Sequence, residues 1–320
     1  MLPSALSAES TRPSDCEAAS PGPACVLPLL PLSVGPVGPL CTARIGGLDC
    51  ALEQGSFIAS APPPTISLTV VAWNIAKSGC NAEGARGNGI APQIAVLQDR
   101  SLIPEFDVLL LSEVSRGCAF QGRQCASAHN VSAARVFAEA LGMAYAYGIE
   151  RLNPDGGVSR ECSEGNALLS RYPLLNVDQH TFEAQCCYGL RPPGRLAVTA
   201  QIELGGGVSI SSSSTHLESG MGADPGFFTR AAQAAELARI GRFVTPFAVV
   251  GGDLNAALRH MDPTLWGAYG GGLHDAHSRL PWWQRSTHDS GVMAFDYIFT
   301  RGLAVTEAAI CHDDGCAGCA

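Results

Sequence analysis

The sequence predicts an α/β protein in which two packed β-sheets lie between outer helices. Strand-like alternation of apolar residues begins at Ile66 and returns many times, and three segments have the spacing of amphipathic helices. Long stretches run from strand to strand with no helix between them. This mixture fits two sheets packed face to face, with the helices outside.

The elements can be followed along the chain from residue 65. A first strand covers residues 66–72 and has Trp73 and Asn74 at its end. A helix begins at Pro92, and a strand over residues 107–111 has the apolar run of a doubly buried strand. Asn130 and Gly142 are expected to cap the next helix at its two ends. The later elements are strands over 143–149, 166–170, 195–204 and 208–217, a helix over 229–243 and a strand over 247–250.

Residues 1–64 have a different composition from the rest of the chain. They hold 11 of the 21 prolines and 7 of the 49 charged residues, and they show neither helical nor alternating periodicity. We therefore expect a Pro-rich, Cys-containing leader over residues 1–64 that is poorly ordered. A single domain is predicted over residues 65–320.

Composition excludes several classes of protein. With 46% apolar and 15% charged residues, the chain cannot be disordered throughout. Its formal net charge of −9 argues against a broad basic face that grips nucleic acid. The longest apolar stretch, residues 25–41, contains four prolines, which disfavour a membrane-spanning helix, and the acidic residues before it make it a poor signal peptide.

The chain contains 13 cysteines, scattered over predicted loops. This pattern suits disulfides and predicts an extracellular or other oxidising compartment. Cys118 and Cys125 flank one short loop and are the favoured pair. Buried free thiols are the alternative.

Five short segments place a polar group directly after an apolar run. They are residues 71–75 (VAWNI), 110–114 (LLSEV), 214–217 (STHL), 251–255 (GGDLN) and 295–299 (FDYIF). Taken singly, each has an ordinary explanation: a turn former, a solvated strand end or a hydrogen-bonded histidine. Asp296 is the hardest to explain in this way, because a carboxylate within a buried strand needs a partner or a metal.

The order Asn, Glu, His, Asp-x-Asn, Asp, together with GNALLSRYP at residues 165–173, resembles the endonuclease/exonuclease/phosphatase superfamily. The resemblance runs from Thr65 to the C-terminus. It implies the DNase I-like fold, a four-layered α/β/β/α sandwich of two mostly antiparallel sheets flanked by helices. It also implies divalent-metal-dependent hydrolysis of a phosphoester.

The same resemblance assigns roles to individual residues. It implies that Glu113 and Asn74 hold Mg²⁺ or Mn²⁺, and oxygen donors suit such ions. It implies that Asp253 activates the attacking water and that Asn255 binds a phosphate oxygen. His216 would then hydrogen-bond the phosphoryl group or pass a proton.

Supporting roles are implied for three further residues. Glu164 is placed to orient His216, Asn166 to bind substrate, and Arg195 to contact phosphate, with a surface arginine as the alternative for Arg195. Asp296 would join the catalytic set. It would normally pair with the histidine of a later Ser-Asp-His signature.

No Ser-Asp-His follows Asp296 in this sequence. Either the sequence is truncated before the signature, which we favour, or the site has been rebuilt. In both cases we expect Asp296 to be a buried, poorly compensated carboxylate with a raised pKa, and a sheet position to be left unfilled.

The sequence leaves the substrate open. A phosphodiesterase or nuclease-like hydrolase acting on nucleic acid or a nucleotide is the first hypothesis. A hydrolase of a phospholipid head group or an inositol phosphate, resembling sphingomyelinases, is the second, favoured if Trp282 and Trp283 are exposed. The third is a catalytically impaired binding protein on the same scaffold. We expect a monomer with no stable protein partner.

Overall fold

The computed structural model describes sixteen stretches of the chain, namely residues 4–9, 37–41, 52–58, 67–75, 90–117, 119–120, 123–124, 131–152, 163–186, 194–219, 225–240, 245–257, 262–281, 284–287, 293–312 and 315–317. The strands in these stretches are, in chain order, β1 (Ser4–Glu9), β2 (Val37–Cys41), β3 (Leu52–Ser56), β4 (Ser67–Asn74), β5 (Val108–Arg116), β6 (Ala119–Phe120), β7 (Arg123–Gln124), β8 (Ala144–Leu152), β9 (Ser163–Ser170), β10 (Leu174–Thr181), β11 (Leu196–Gly205), β12 (Val208–His216), β13 (Ala248–Asp253), β14 (His274–Asp275), β15 (Asp296–Arg301), β16 (Ala304–His312) and β17 (Gly315–Ala317). The helices are α1 (Ile90–Gln98), α2 (Ala133–Leu141), α3 (Pro225–Ile240), α4 (Pro263–Gly270) and a 3₁₀ helix over Ala276–Arg279.

The strands form two large mixed sheets. The nine-stranded sheet has the order β17-β16-β1-β4-β5-β9-β8-β3-β2, and the six-stranded sheet has the order β10-β11-β12-β13-β15-β14. Most neighbours are antiparallel, but β4 and β5 are parallel, and so are β12 and β13. Parallel neighbours bring their carboxyl ends to the same edge of a sheet, and both of these pairs lie near the middle of their sheets.

Three apolar clusters fill the spaces between the layers. The central cluster joins Val70 and Leu110 of the nine-stranded sheet to Val198 and Ile298 of the six-stranded sheet. A second cluster packs α1 and α2 onto the outer face of the nine-stranded sheet. A third cluster packs α3 and α4 onto the outer face of the six-stranded sheet. The predicted four-layered α/β/β/α sandwich is therefore confirmed.

The sheet begins before residue 65, where the sequence analysis places the start of the domain. β1, β2 and β3 all precede that position, and β3 pairs with β8 from Leu52 to Ser56. Glu53 of β3 is buried and accepts a hydrogen bond from Tyr145 Oη at 2.7 Å. Residues 52–56 therefore belong to the folded domain, contrary to the predicted boundary. The short LEQGS strand was missed because it has no clear alternation and follows a Pro-rich stretch.

Two smaller expectations are corrected as well. The N-cap of α2 is Ser132, whose Oγ accepts a hydrogen bond from the Arg135 N–H at 3.2 Å, rather than Asn130, which lies outside the described residues. Gly142 ends that helix as predicted, with a φ of 67°. The expected unfilled sheet position is not found beside β4, because β1 lies between β4 and β16 and pairs with both.

Other expectations fall on parts of the chain that the structure does not describe. Cys118, Cys125, Trp282 and Trp283 are among these residues, so the disulfide pair and the exposure of the tryptophans remain predictions. Among the helices of the described stretches, none combines the length and the apolar character needed to cross a membrane.

Candidate active site

Several of the predicted site residues meet at one edge of the sandwich, where the carboxyl-terminal parts of β4, β5 and β13 lie close together. Asn74, at the end of β4, donates from Nδ2 to Asp253 Oδ2 at 2.8 Å and to Glu113 Oε1 at 3.3 Å. One amide therefore links residues from three strands and from both sheets. This contact confirms that the strand-end residues converge.

Glu113 reaches this site through a β-bulge. The pairing of β5 with β9 shifts register between Leu111 and Val114, and Glu113 has a φ of 57°. A non-glycine residue in the left-handed region is uncommon, and bulges re-aim side chains next to functional sites. The bulge accounts for a half-buried glutamate that faces Asn74 at the edge of the sheets.

Asp253 is held by a tight turn at the end of β13. Its Oδ1 accepts the Asn255 N–H at 2.8 Å, and Asn255 has a φ of 52°, which asparagine tolerates better than most residues. Gly252 has a φ of 130°, and a Cβ there would lie 2.0 Å from the carbonyl oxygen of Thr215. The glycine thus lets β13 approach β12 closely beside His216.

His216 ends β12 and lies next to this carboxylate. Its Nε2 is 3.7 Å from Asp253 Oδ2, and its side chain is buried. Burial, and then the positive charges of Arg195 and Arg151, lower the pKa of His216 well below 6.5. The imidazole is therefore neutral at neutral pH, with one ring nitrogen able to donate a hydrogen bond and the other able to accept one.

The two buried aspartates at this edge carry raised pKa values. Burial raises the pKa of Asp253, and the hydrogen bond from Asn74 offsets part of that shift. Asp296 opens β15 directly opposite Asp253, and burial together with the Asp253 charge raises its pKa well above the usual range. Asp296 Oδ1 has no hydrogen-bond partner among the described residues. The expected poorly compensated carboxylate is present.

A buried ion-pair layer lies behind the site. Arg195 Nη1 donates to Glu150 Oε1, and Arg151 Nη2 donates to Glu164 Oε1 at 2.6 Å. Burial raises the pKa of Glu150 to about 7, and the Arg195 charge acts against that rise. The positive fields of the two arginines reach His216.

Glu150 and Arg151 were not predicted from the sequence. This charged pair lies near the end of the apolar strand β8, but neither residue belongs to a recognisable motif. Glu164 was predicted, and its role in orienting His216 stays a prediction. Arg195 is 3% exposed and is no surface arginine, and its Nε has no partner among the described residues.

The side chain of Asn166 is buried and bonds to the backbone of the other sheet. It is fully buried on β9, and its Nδ2 donates to the carbonyl oxygen of Leu196 on β11 at 3.1 Å. This bond ties the two sheets together beneath the ion-pair layer. The predicted contact of Asn166 with substrate stays a prediction.

The donor groups at this edge fit a hydrated divalent cation. Within the described stretches, no three His, Cys, Asp or Glu side chains are grouped as a preformed metal cage. Mg²⁺ does not need one, because it keeps several waters and takes one or two carboxylates together with substrate phosphate. The Glu113 carboxylate beside Asn74 is a donor of this kind, and so is Asp296 Oδ1 on β15, which has no hydrogen-bond partner in the described part of the chain.

A sequence profile of the endonuclease/exonuclease/phosphatase family matches residues 71–317, which include every residue of the site. The chain belongs to the endonuclease/exonuclease/phosphatase family. This family groups nucleases and phosphatases, enzymes that hydrolyse phosphoester bonds. No curated protein sequence matches the chain.

Solved structures agree with this family fold. An endonuclease/exonuclease/phosphatase from Beutenbergia cavernae superposes with a TM-score of 0.52 at 18% identity, over 72% of this chain and 63% of its own. The human Nocturnin catalytic domain with a bound sulfate anion superposes with a TM-score of 0.52 at 18% identity, over 75% of this chain and 85% of its own. This chain thus spans less than two thirds of the Beutenbergia protein. At such identity these likenesses show that the fold is shared.

Proposed function

We propose that this protein is a divalent-metal-dependent phosphoester hydrolase, of phosphodiesterase or nuclease-like type. The observation that carries the proposal is the linked set in which Asn74 contacts both Glu113 and Asp253 while His216 lies 3.7 Å from Asp253. An anionic phosphodiester repels an anionic nucleophile, so hydrolysis needs positive charge on its oxygens and a base for the attacking water. The linked set contains groups suited to both tasks.

Glu113 and Asn74 would hold Mg²⁺ or Mn²⁺, which supplies the positive charge that neutralises the phosphate oxygens. Asp253 would accept the proton of the attacking water through Oδ2, and its raised pKa makes it a stronger base than an exposed aspartate. The neutral His216 would donate a hydrogen bond to the phosphoryl group or pass a proton onward. The Asn255 backbone turn would keep the Asp253 carboxylate in position.

The first test is hydrolysis of bis(p-nitrophenyl) phosphate by the purified full chain with Mg²⁺. We expect activity that EDTA abolishes and that added Mg²⁺ or Mn²⁺ restores. His216→Ala and Asp253→Ala should each lower kcat by about 10²- to 10⁴-fold, the usual contribution of a positioned acid or base. The exposed residues His274 and Asp178 supply matched controls, and His274→Ala and Asp178→Ala should retain the wild-type kcat.

Two results would contradict the mechanism: hydrolysis that resists chelation, or full activity in His216→Ala or Asp253→Ala. The second candidate, a catalytically impaired binding protein, is favoured by the unpartnered buried oxygen of Asp296. It predicts a folded protein without turnover on any ester. Parallel assays on DNA, a nucleotide diester and sphingomyelin vesicles separate the nuclease-like hypothesis from the phospholipid one.

A further inference from the structure

Gln233 is a fully buried glutamine on α3, the helix that packs outside the six-stranded sheet. Its side chain makes one hydrogen bond in each of two directions. Gln233 Oε1 accepts the Glu218 N–H at 2.8 Å, and Gln233 Nε2 donates to the carbonyl oxygen of Ala184 at 2.8 Å. These two partners lie in different segments, and each segment leads to a residue of the site.

The hydrogen bond from the Glu218 N–H to Gln233 Oε1, here called the first arm, holds the segment that follows His216. Leu217 donates its N–H to the Asp253 carbonyl oxygen at 2.9 Å, and its own carbonyl oxygen accepts from Asn255 Nδ2 at 3.0 Å. Beyond these two backbone anchors, Gln233 Oε1 accepts the Glu218 N–H, and Arg230 Nη1 donates to the Glu218 carbonyl oxygen at 3.2 Å. Gln233 is therefore one of the buried side chains that hold the chain where it leaves His216.

The hydrogen bond from Gln233 Nε2 to the Ala184 carbonyl oxygen, here called the second arm, holds the segment that positions Arg195. Ala184 precedes Gln185, whose amide grips both backbone groups of Arg195. Gln185 Oε1 accepts the Arg195 N–H at 2.9 Å, and Gln185 Nε2 donates to the Arg195 carbonyl oxygen at 2.8 Å. The bond from Gln233 to Ala184 therefore helps to hold the segment that supports Arg195, together with Glu236, whose carboxylate accepts the Glu183 N–H at 3.1 Å.

We propose that Gln233 is a positioning residue that sets His216 and Arg195 relative to each other from outside the site. The inference rests on the proposed function in assigning His216 to turnover, and on the phosphate contact that the sequence predicts for Arg195. Gln233 touches neither of them. It acts through the backbone of Glu218 and Ala184, both of which its single amide group spans.

Two substitutions separate the arms, with bis(p-nitrophenyl) phosphate and Mg²⁺ as the probe. Gln233→Leu removes both bonds, and we expect kcat to fall about 10- to 100-fold and KM to rise, because a displacement near 1 Å costs on the order of 10²-fold in rate. In its ionised form, Gln233→Glu retains the acceptor for Glu218 and replaces the donor to Ala184 with a second carboxylate oxygen. It should keep kcat within about twofold of wild type while KM rises several-fold.

Thr245→Val is the matched control, because Thr245 is a buried polar residue that also bonds to backbone. Its Oγ1 accepts the Ser211 N–H at 3.1 Å, toward the start of the β12 strand that ends at His216. Thr245→Val should lower the melting temperature with kcat and KM unchanged. A Gln233→Leu protein that loses melting temperature but keeps wild-type kcat and KM would overturn the inference.

The ring proton and nitrogen NMR signals of His216 supply a readout that needs no activity. Assigned by their loss in His216→Ala, they should shift in Gln233→Leu and stay in place in Thr245→Val, with the signals of His277 as the internal reference. If Gln233→Leu fails to fold, the KM change in Gln233→Glu decides. If the wild-type protein hydrolyses no ester, the proposed function fails and unshifted His216 signals in Gln233→Leu would overturn this inference separately.

Discussion

His277 is a fully buried histidine whose two ring nitrogens have no hydrogen-bond partner among the described residues. It lies in the 3₁₀ helix, 3.9 Å from Asp275 Oδ1 and beside the ring of Tyr297. Burial lowers its pKa below 6.5, and the Asp275 charge opposes that shift only in part. Because the unfolded chain then binds a proton that the folded state does not, stability is retained above pH 6.5 and lost as the pH falls toward the folded pKa.

His277→Phe should therefore stabilise the protein at acidic pH, because it removes this buried titrating group. Each histidine of this kind lowers the free energy of unfolding by up to about 1.4 kcal/mol per pH unit below 6.5. Urea unfolding measured at pH 7.5 and at pH 5.5 should show that the free energy of unfolding falls less between these pH values in His277→Phe than in wild type. The exposed His274 supplies the control. In His274→Phe the free energy of unfolding should fall between the two pH values by as much as in wild type. An equal loss in His277→Phe and wild type would contradict the argument.

Single residues also show which parts of such a site can be predicted from the sequence. Asn74, Glu113 and His216 were predicted because each follows an apolar run, and strand ends at one sheet edge must meet. Gln233 and Glu150 were not, because a buried side chain that bonds to backbone or to another charge leaves no local pattern. Their roles depend on which segments the tertiary fold brings together, and the spacing of residues along one chain does not contain that information.

At the scale of elements, β3 tests where the domain begins. If β3 pairs with β8 in solution, Tyr145→Phe removes a hydrogen bond to the buried Glu53 and should lower the free energy of unfolding by about 1.5–3 kcal/mol. Tyr147→Phe is the control on the same strand, since its Oη lies 3.2 Å from Ser163 Oγ on β9. It should cost about 1 kcal/mol. Chemical denaturation measures both, and an unchanged stability in Tyr145→Phe would place β3 outside the sheet.

Elements with strong periodicity were predicted well, and those without it were not. β11 lies within two residues of its predicted bounds, because buried residues alternate with half-buried ones along most of its length. β10 and α4 were missed. β10 is an edge strand with mostly half-exposed and exposed residues, and α4 packs through Gly267, where a Cβ would lie 2.7 Å from the Ala231 carbonyl oxygen of α3. Close packing of this kind needs a small residue and not an apolar one, so it weakens the helical signal.

At the scale of the whole molecule, the site depends on the register between the two sheets. Ser112 is fully buried on β5 of the nine-stranded sheet, and its hydroxyl bridges to two strands of the six-stranded sheet. Ser112 Oγ donates to the Thr215 carbonyl oxygen at 3.0 Å and accepts the Asp253 N–H at 3.1 Å. Ser112, which precedes Glu113, thus holds the Asp253 backbone in register with the nine-stranded sheet.

Ser112→Ala should therefore affect both stability and catalysis. It removes two hydrogen bonds at a fully buried position, which costs on the order of 2 kcal/mol of unfolding free energy. It also frees Asp253 to move relative to Glu113, so we expect kcat on a phosphodiester to fall on the order of tenfold. Ser170→Ala supplies the control, because Ser170 is equally buried but bonds within one loop, accepting the Tyr172 N–H at 2.9 Å. That variant should lose about 1 kcal/mol at unchanged kcat, and a Ser112→Ala protein with wild-type kcat would show that the sheets hold their register at the site without this hydroxyl.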